Sequence, residues 1–459
     1  MNDEYSLSKN YNVFIDQFRD YAYIYDSLYK IKECSEEEIN IIFQDIKNIL
    51  FEKYKINPSD LLVIISYMSH YRLKYIKTYW LIFKKIYEEF RPKISENTFF
   101  IFKSLASEEY RIKIKHSSLK CTLDIHEEKT IFQAIINDDK NSFISFIEMK
   151  GFDKDQILIN DAYPLSEEGY YLLELCCYYG AVDCFKLLRS NFNSEITEKC
   201  LQYSFLSGNT EIMSECLKYQ TPDTQCMEYA IISHNIDFVS YLWNEHQTEI
   251  NLEVCCFFQN IRAFFMYLDQ TKNIDKCFPF SPIFETPDIC EFLLKKGANI
   301  NAKLDSGQTA LHIAAFQNKI ESLKFLILQG AEINSIDTVE YTALHKAAQK
   351  NHKEIAELLI LNGININAKN RYGQTPLHVA IMYHSGDVVE TLLSCNIDIN
   401  AIDLNGQTAL HYAVIYNYKD IGKNLVEKGI DESIINNNGQ TANQIAENKK
   451  MKKSRNKTF

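Results

Sequence analysis

The sequence predicts an all-α protein built as an α-solenoid, in which pairs of helices stack against their neighbours. Three residue types recur every 33 positions in the second half of the 459-residue chain. The threonines are Thr309, Thr342, Thr375, Thr408 and Thr441; the glycines are Gly297, Gly330, Gly363 and Gly429, with Asn396 in the remaining place; the asparagines are Asn301, Asn334, Asn367 and Asn400. A fixed period without insertions is typical of stacked units that each contact only their neighbours. Hydrophobic residues make up 46% of the chain, which is ample for burial.

Each 33-residue unit predicts two helices followed by a loop. The threonine is a good helix N-cap, and Pro376 follows Thr375 at the first helical position, where helices accept proline. A leucine and an alanine pair, such as Ala314 and Ala315, then form one face of the first helix. A second helix follows, as in IESLKFLILQG, and ends at the glycine expected just past a helix C-terminus. The stretch AEINSIDTVEY returns to the next threonine as a hairpin-like loop.

The phrase that opens each unit identifies a family. It reads GQTALHIAAFQNK from Gly307, EYTALHKAAQK from Glu340, GQTPLHVAIMY from Gly373 and GQTALHYAVIY from Gly406. The phrase, the G-A-x-I-N segment and the 33-residue period resemble ankyrin repeats over residues 288–447. The resemblance implies stacked helix pairs with protruding β-hairpin loops, a fold used to bind other proteins.

Two units depart from the pattern. Glu340 stands where the other hairpin tips have glycine, so we predict that this hairpin turns differently and that Thr338 and Val339 make different contacts. In the last unit Asn443 and Gln444 replace the leucine and the histidine. Because the end of a solenoid needs an outer face that tolerates water, we predict a C-terminal cap near residues 439–447.

The units that recur every 33 residues are called phased repeats. Weaker copies of their helix pair precede them. LLELCCYYGAVDCFKLLRSN at 172–191 aligns with ALHIAAFQNKIESLKFLILQ without a gap, and further copies follow up to residue 242. The predicted domains are an N-terminal helical domain at 1–120, degenerate ankyrin-like helical repeats at 121–296, ankyrin repeats with a cap at 297–447, and a disordered basic tail at 448–459. The N-terminal half also resembles an uncharacterised helical domain that precedes ankyrin repeats in large protist families, which implies no known chemistry.

The repeated histidines are candidate metal ligands or catalytic bases. Packed helices lie ~8–10 Å apart, whereas zinc binds each histidine nitrogen at ~2.1 Å, so equivalent histidines of adjacent units are badly placed to share a metal. A Thr–His pair can activate a nucleophile, but one active site does not need four copies. We therefore predict that each histidine hydrogen-bonds its own helix start to a neighbouring loop. This structural motif comprises Thr309, His312, Thr342, His345, Thr375, His378, Thr408 and His411.

The sequence predicts no enzymatic activity and no cofactor. Its 13 cysteines include two adjacent pairs, Cys176–Cys177 and Cys255–Cys256, but no C-x-x-C. The chain start lacks the features of a secretory signal, so we expect reduced cysteines that pack as small apolar residues, in preference to a disulfide or a zinc site. None of the common catalytic or phosphate-binding phrases occurs. An enzyme with an unrecognised site in residues 1–120 is the less favoured alternative.

Charge constrains the partners. The net charge is −12, although NKKMKKSRNKTF at the end carries six Lys or Arg and no acid. An acidic body does not suit binding to phosphates, and no apolar run approaches the ~20 residues of a membrane span. We expect a monomer without nucleic-acid or membrane partners, in the cytoplasm. The basic tail is typical either of a solvated terminus or of a nuclear-localisation signal, so the nucleus stays an alternative.

The predicted function is a non-enzymatic scaffold that binds another protein through the concave face and hairpin tips of its repeats. In the alternative, the chain is an adaptor whose N-terminal domain recruits other machinery while the repeats select the client. The candidate partner-binding residues are Tyr341, Arg371, Tyr372, Tyr383, Tyr416, Lys350 and Gln317. Tyrosine and arginine are typical interface anchors, although some of these tyrosines are expected to pack between repeats.

Overall fold

The computed structural model describes residues 9–113, 121–164, 169–284 and 286–455. Helices dominate these ranges, which confirms the predicted all-α solenoid class. The chain divides into two compact units, Met1–Lys272 and Asn273–Phe459. The boundaries predicted at residues 120 and 296 lie inside these units and stay predictions. Within the described ranges, no helix has the length and apolar character needed to cross a membrane.

The first unit begins with a helical bundle, and its helix ends follow the local sequence. Ser35 and Glu38 form the capping box of the third helix, with the Glu38 carboxylate accepting from the Ser35 N–H at 2.7 Å. Asn57 caps the fourth helix, which has Pro58 in its first position. The helices are α1 (Lys9–Gln17), α2 (Arg19–Tyr29), α3 (Glu36–Asp45), α4 (Pro58–Tyr71), α5 (Ile76–Phe90) and α6 (Phe100–Tyr110), with a π-helix at Ile46–Lys53 and a 3-10 turn at Leu73–Tyr75.

Helix pairs make up the rest of the first unit. They are α7 (Ile131–Asn137) with α8 (Lys140–Ile147), α9 (Leu172–Tyr179) with α10 (Val182–Phe192), α11 (Glu198–Ser207) with α12 (Thr210–Cys216), α13 (Thr224–Ile232) with α14 (Ile236–His246), and α15 (Leu252–Phe257) with α16 (Ile261–Thr271). Between α8 and α9 lies a short antiparallel hairpin of β1 (Ile157–Leu158) and β2 (Tyr170–Tyr171), in which Ile157 pairs with Tyr171.

One backbone feature is shared by these helix pairs and the phased repeats. The turn inside each pair holds a residue with positive φ, namely Asp138, Gly180, Gly208, His234 and Gln259. The phased repeats have the same feature at Asn318, Asn351, His384 and Asn417. A left-handed residue is common at a helix C-terminus, so this shared turn agrees with the predicted degenerate repeats, which stay a prediction.

The N-terminal helices and the helix pairs of the first unit share one core. Phe14 and Phe18 pack against Phe265, with ring centroids 5.5 and 5.7 Å apart. Tyr71 packs against Phe258 at 5.4 Å, and the Tyr178 hydroxyl donates to the carbonyl of His70 at 3.1 Å. The bundle is therefore built onto the helix pairs.

The second unit consists of the phased repeats and the segment before them. It contains α17 (Ile274–Cys277), a 3-10 helix at Phe278–Ile283, α18 (Asp288–Lys295), α19 (Ala310–Phe316), α20 (Ile320–Leu328), α21 (Ala343–Lys350), α22 (Lys353–Leu361), α23 (Pro376–Met382), α24 (Gly386–Leu393), α25 (Ala409–Ile415), α26 (Lys419–Glu427) and α27 (Ala442–Arg455). The first helices of successive repeats pack on one another, and each packs on its own second helix. The alanine pairs of the first two repeats are fully buried at these contacts.

The last helix differs from the expectation for the tail. Asn443 and Gln444 are exposed at the places where earlier repeats bury leucine and histidine, in line with a terminal cap. The helix then continues to Arg455. Part of the stretch for which we expected disorder is thus helical, because no glycine or proline follows Gly439. Residues 456–459 lie outside the described residues.

Candidate partner-binding surface

All phased repeats except the last begin with a threonine and a histidine that share hydrogen bonds. The histidine Nδ1 accepts from the threonine backbone N–H at 3.1–3.3 Å, in the position that glutamate occupies in the usual capping box. The histidine Nε2 lies 2.8–3.1 Å from a carbonyl oxygen just before the next threonine. Those carbonyls belong to Tyr341, Gln374, Gln407 and Gln440. Because Nδ1 accepts, Nε2 carries the proton and donates it to the next repeat.

Burial keeps three of these histidines neutral. Desolvation lowers the pKa of His312, His345 and His378 to about 4. Each ring therefore joins two repeats as an uncharged group at neutral pH. In the described ranges, no cluster of three His, Cys, Asp or Glu side chains is placed to hold a metal ion.

The recurring asparagines make a second set of bonds between repeats. The Asn301 side chain accepts from the Glu332 N–H at 2.9 Å, and Asn334 accepts from Asn365 at 2.8 Å. The next two repeats continue the series, with Asn367 accepting from Asp398 at 3.0 Å and Asn400 from Asp431 at 2.8 Å. This role was not deduced from the sequence, although the 33-residue interval was its signal.

Backbone hydrogen bonds join the hairpin tips. The N–H groups of Thr338, Arg371, Leu404 and Asn437 each donate to a carbonyl of the preceding hairpin at 2.9–3.1 Å. Inside each of these hairpins, an Asp or Asn side chain accepts from two backbone N–H groups; these residues are Asp337, Asn370, Asp403 and Asn436. The tips therefore form a connected ladder, and side chains on it are held on a fixed backbone.

The hairpin at Glu340 turns in the same way as the other hairpins, contrary to the prediction. Glu340 has φ 62°, in the left-handed region that Gly307, Gly373 and Gly406 also adopt. Its N–H donates to the Asp337 carbonyl at 2.9 Å, as the Gly373 N–H does to Asn370 at 2.8 Å. The predicted difference in turn is wrong, since the tip ladder and Asp337 hold this backbone despite a strain of about 1 kcal/mol or more. Thr338 keeps its ladder bond to Ser306.

A buried ion pair supports the same hairpin. Lys346 Nζ lies 2.7 Å from Asp337 Oδ2, and both side chains are almost completely buried. Burial opposes the charge of Asp337, but the bonds from Lys346 and from backbone N–H groups outweigh it and lower the pKa of this carboxyl. The next repeat has neutral Asn370 and Val379 at the same two positions, 33 residues on.

The structure exposes most of the candidate anchors. Tyr372, Tyr383 and Tyr416 expose 52%, 48% and 42% of their surface. Arg371 and Lys350 are also exposed, although the Arg371 guanidinium donates to the Thr338 carbonyl and Lys350 Nζ lies 4.5 Å from the ring centroid of Phe316.

Tyr341 and Gln317 are half-buried. The Tyr341 ring stacks on His345 with centroids 5.2 Å apart, and Lys346 Nζ lies 4.9 Å from its centre. Burial raises the pKa of Tyr341, and the Tyr383 and Tyr372 hydroxyls add to the rise. Tyr341 thus packs within the array, whereas the partner-binding roles of all seven residues stay predictions.

Further exposed residues extend this surface. Leu404 is 68% exposed at the next hairpin tip. The rings of His384 and Tyr418 stack with centroids 4.1 Å apart, and Tyr418 lies 5.9 Å from Tyr416. The tyrosine face is defined here as Tyr372, Tyr383, His384, Leu404, Tyr416 and Tyr418. His384 lies one position beyond the candidate Tyr383, and half-buried Tyr418 lies two positions beyond the candidate Tyr416, which is why they were missed.

Exposed acidic residues of the repeats lie at the hairpin tips, where Asp305 and Glu340 are found, in the loops, and on the second helices. The second helices carry Glu321, Glu354, Glu357, Asp387, Glu390, Asp420 and Glu427, all exposed. The tyrosine face contains none of them, and exposed Arg371 lies next to Tyr372 on the same hairpin. The surface therefore combines apolar side chains with an adjacent positive charge.

Comparison with known families agrees with this geometry. Residues 313–403 match the family model described as Ankyrin repeats (3 copies), and residues 284–327 and 392–446 match models described as Ankyrin repeats (many copies). The C-terminal part of the chain consists of ankyrin repeats. This confirms the resemblance found over residues 288–447.

Upstream of the ankyrin repeats, residues 192–267 match a Domain of unknown function (DUF3447), which confirms the resemblance of the N-terminal half to an uncharacterised domain. This match spans α11 to α15 and most of α16. A search of curated proteins finds no match to the chain.

The environment of Cys176 and Cys177 does not favour a reactive thiol. Cys176 and Cys177 occupy, in α9, the places of the alanine pair in the ankyrin repeats, and both are fully buried. Burial raises the pKa of each thiol well above its usual value. A thiol that stays protonated is a poor nucleophile and a poor metal ligand, so these two residues act in packing.

Proposed function

We propose that the chain is a protein-binding scaffold that holds a partner on the tyrosine face and hairpin tips, along the concave side of its ankyrin repeats. Ankyrin repeats are generally protein–protein interaction modules. The observation that carries the proposal is a set of exposed aromatic and aliphatic side chains, of which Tyr372 and Leu404 lie on hairpins that are hydrogen-bonded to both neighbouring hairpins.

A fixed backbone favours binding for a physical reason. Association loses freedom of motion, and ordering loops at an interface adds to that loss. The tip ladder has already ordered the segments that present Tyr372 and Leu404. Tyrosine adds a large contact area with few rotatable bonds, which is why it is frequent among the residues that dominate binding energies.

A set of substitutions tests the proposal. Tyr372→Ala, Tyr383→Ala and Tyr416→Ala are combined in one variant. The matched control is Tyr23→Ala with Tyr219→Ala, which removes tyrosines that are 54% and 57% exposed in the first unit. A partner is captured from a lysate of the source cell with the full chain, and its affinity for each variant is measured by calorimetry after circular dichroism has verified the fold.

The tyrosine-face variant is expected to bind at least about 30-fold more weakly, since one dominant interface residue contributes about 2 kcal/mol or more. The control variant should keep the affinity of the original chain. If the two variants bind alike, the tyrosine face is not the binding site.

The adaptor alternative assigns recruitment to the N-terminal helices. Because these helices share a core with α13–α16, residues 1–120 lack part of their own packing when isolated. The appropriate fragment for testing recruitment is therefore residues 1–272, which form one compact unit. Capture of a second, distinct protein by that fragment would support the adaptor.

A further inference from the structure

His234 differs from the histidines of the ankyrin repeats in its hydrogen bonds. It lies in the turn between α13 and α14, and its side chain is fully buried. Its Nδ1 is 2.7 Å from an oxygen of Asp26, and its Nε2 is 2.9 Å from the carbonyl oxygen of Phe258. A carbonyl oxygen and an ionised carboxylate accept hydrogen bonds but cannot donate them. Both contacts are hydrogen bonds only when both ring nitrogens of His234 carry a proton.

The ankyrin-repeat histidines show the contrast. In His345, Nδ1 receives a backbone N–H at 3.1 Å, so that nitrogen needs its lone pair. His234 has no such donor at either nitrogen among its hydrogen bonds, and both of its partners are acceptors. The chain thus buries two kinds of histidine, which differ in whether a backbone N–H group donates to Nδ1.

The surrounding charges agree with a positively charged ring. Asp26 also accepts from Arg262 Nε at 2.6 Å. Burial opposes the charge of Asp26, but the bonds and charges of His234 and Arg262 outweigh it and lower the pKa of the carboxyl. Asp26 is therefore ionised at neutral pH and cannot supply the proton. The Tyr29 ring stacks on His234 with centroids 4.2 Å apart, a position that favours a cation.

The other ionisable groups near His234, Asp26 and Arg262 do not supply the second proton of the His234 ring. Burial raises the pKa of Tyr11, on α1, to about 12, so Tyr11 stays neutral beside Arg262. Asp237, on α14, acts on Tyr11 from the other side. The buried cluster therefore holds one negative carboxylate between two positive groups, with helices α2 and α16 and the α13–α14 turn each supplying one member.

We propose that His234, Asp26 and Arg262 form a proton-dependent latch that fastens the N-terminal helices α1 and α2 to the helix pairs α13–α16. Loss of one proton from His234 leaves an acceptor facing a lone pair and removes half of the charge that balances Asp26. Arg262 still binds Asp26, but the attachment of α2 to the α13–α14 turn is weakened, so the contacts of α1 and α2 with Phe258 and Phe265 open more readily. Since the folded chain holds a proton that the released chain gives up, the latch weakens as pH rises. It does not depend on the proposed role of the tyrosine face.

The protonation state is tested directly by nuclear magnetic resonance. The full chain is labelled with ¹⁵N at histidine, and a His234→Gln spectrum identifies the His234 signals among those of the 11 histidines. Both His234 nitrogens are expected to show the chemical shifts of protonated nitrogen at pH 7. In an Asp26→Asn variant the carboxylate charge is gone, and one of the two protons should be lost. An unprotonated His234 nitrogen in the original chain at pH 7 overturns the proposal.

Hydrogen exchange tests the latch itself. Backbone exchange of residues 9–29 is followed by mass spectrometry in the full chain between pH 6 and 9, corrected for the intrinsic pH dependence of exchange. We expect protection in this segment to fall at least about tenfold as pH rises. His234→Gln should reproduce that loss at pH 6, whereas His246→Gln, at an exposed histidine on α14, should not. Protection that is independent of pH in the original chain contradicts the latch, even if the His234 variant fails to fold.

Discussion

His345 provides a sharp test of the physical account of the repeats. We consider the substitution His345→Gln, because the last repeat already has glutamine at this place. There the Thr441 N–H donates to Gln444 Oε1 at 2.8 Å, so glutamine keeps the cap of the helix start. What the substitution removes is the bond from His345 Nε2 to the carbonyl of Gln374 at 3.1 Å, which joins one repeat to the next.

The expected cost at pH 7.5 is small. Losing a buried hydrogen bond costs about 1–3 kcal/mol when its partner is left unsatisfied. The Gln374 carbonyl also accepts from the Asn370 N–H at 3.0 Å, so it keeps one partner. We therefore expect the free energy of unfolding to fall by about 1 kcal/mol. His345→Ala removes the cap as well and should cost about 2–3 kcal/mol.

The difference should depend on pH. Burial lowers the pKa of His345 to about 4 in the folded chain, whereas an unfolded histidine titrates near ~6.5. Between these values the unfolded chain binds more protons, so the contribution of His345 to stability is complete above pH ~6.5 and falls as pH drops towards 4. The original chain should lose about 2 kcal/mol at pH 5 through this residue, and glutamine loses nothing.

Urea unfolding at pH 7.5 and pH 5.0, followed by circular dichroism, measures both effects. His345→Gln should be less stable than the original chain at pH 7.5 and equally or more stable at pH 5.0. His312 and His378 titrate in the same range in both proteins, so their effects cancel in the comparison. A difference that is the same at both pH values would refute the view of His345 as a buried neutral group.

Three other substitutions test single features of the repeats. Glu340→Gly should raise the free energy of unfolding by about 0.5–1 kcal/mol in thermal melts, because glycine adopts positive φ without strain; an unchanged melting temperature would argue against strain at this tip. Lys346→Val leaves Asp337 buried without its counter-charge and should cost about 2–4 kcal/mol in urea unfolding. Adding Asp337→Asn recreates the neutral pair of the next repeat, so a double variant no more stable than the single one would contradict this explanation. Asn334→Ala removes one hydrogen bond between repeats and should lower the urea midpoint of unfolding by an amount equivalent to about 0.5–1 kcal/mol. The cost is small because Asn365 is exposed, so water can reach the freed Asn365 N–H. A larger loss would contradict the view that the Asn334 side chain contributes only this hydrogen bond.

Features with a local or periodic signal could be predicted from the sequence. The 33-residue interval specified the helix pairs, and Thr375 followed by Pro376 marked a helix start at the observed residue. The turn at Glu340 was predicted wrongly because its conformation depends on the neighbouring hairpins, whereas the sequence shows only the local preference of glutamate. The side chains that bind a partner stay predictions, since exposure alone does not identify a client.

Contacts between distant parts of the chain left no such signal. Asp26 and His234 are 208 residues apart, and neither lies in a motif that indicates the other. The sharing of one core by the N-terminal helices and the helix pairs therefore became visible only in three dimensions. The irregular spacing of the degenerate pairs also concealed the positive-φ turn that they share with the ankyrin repeats.

Because the ladder joins the hairpin tips of adjacent repeats, the length of one ankyrin repeat is constrained by the repeats on either side of it. Three kinds of bond cross every junction between adjacent phased repeats from Asn301 to Gln440, made by a histidine ring, an asparagine amide and the tip backbone. All three recur at 33 residues. Removing one whole repeat would bring each donor opposite an equivalent acceptor and should give a shorter protein that folds. Removing one residue fewer would displace all three kinds of bond at the new junction, so viable changes in length should come in whole repeats.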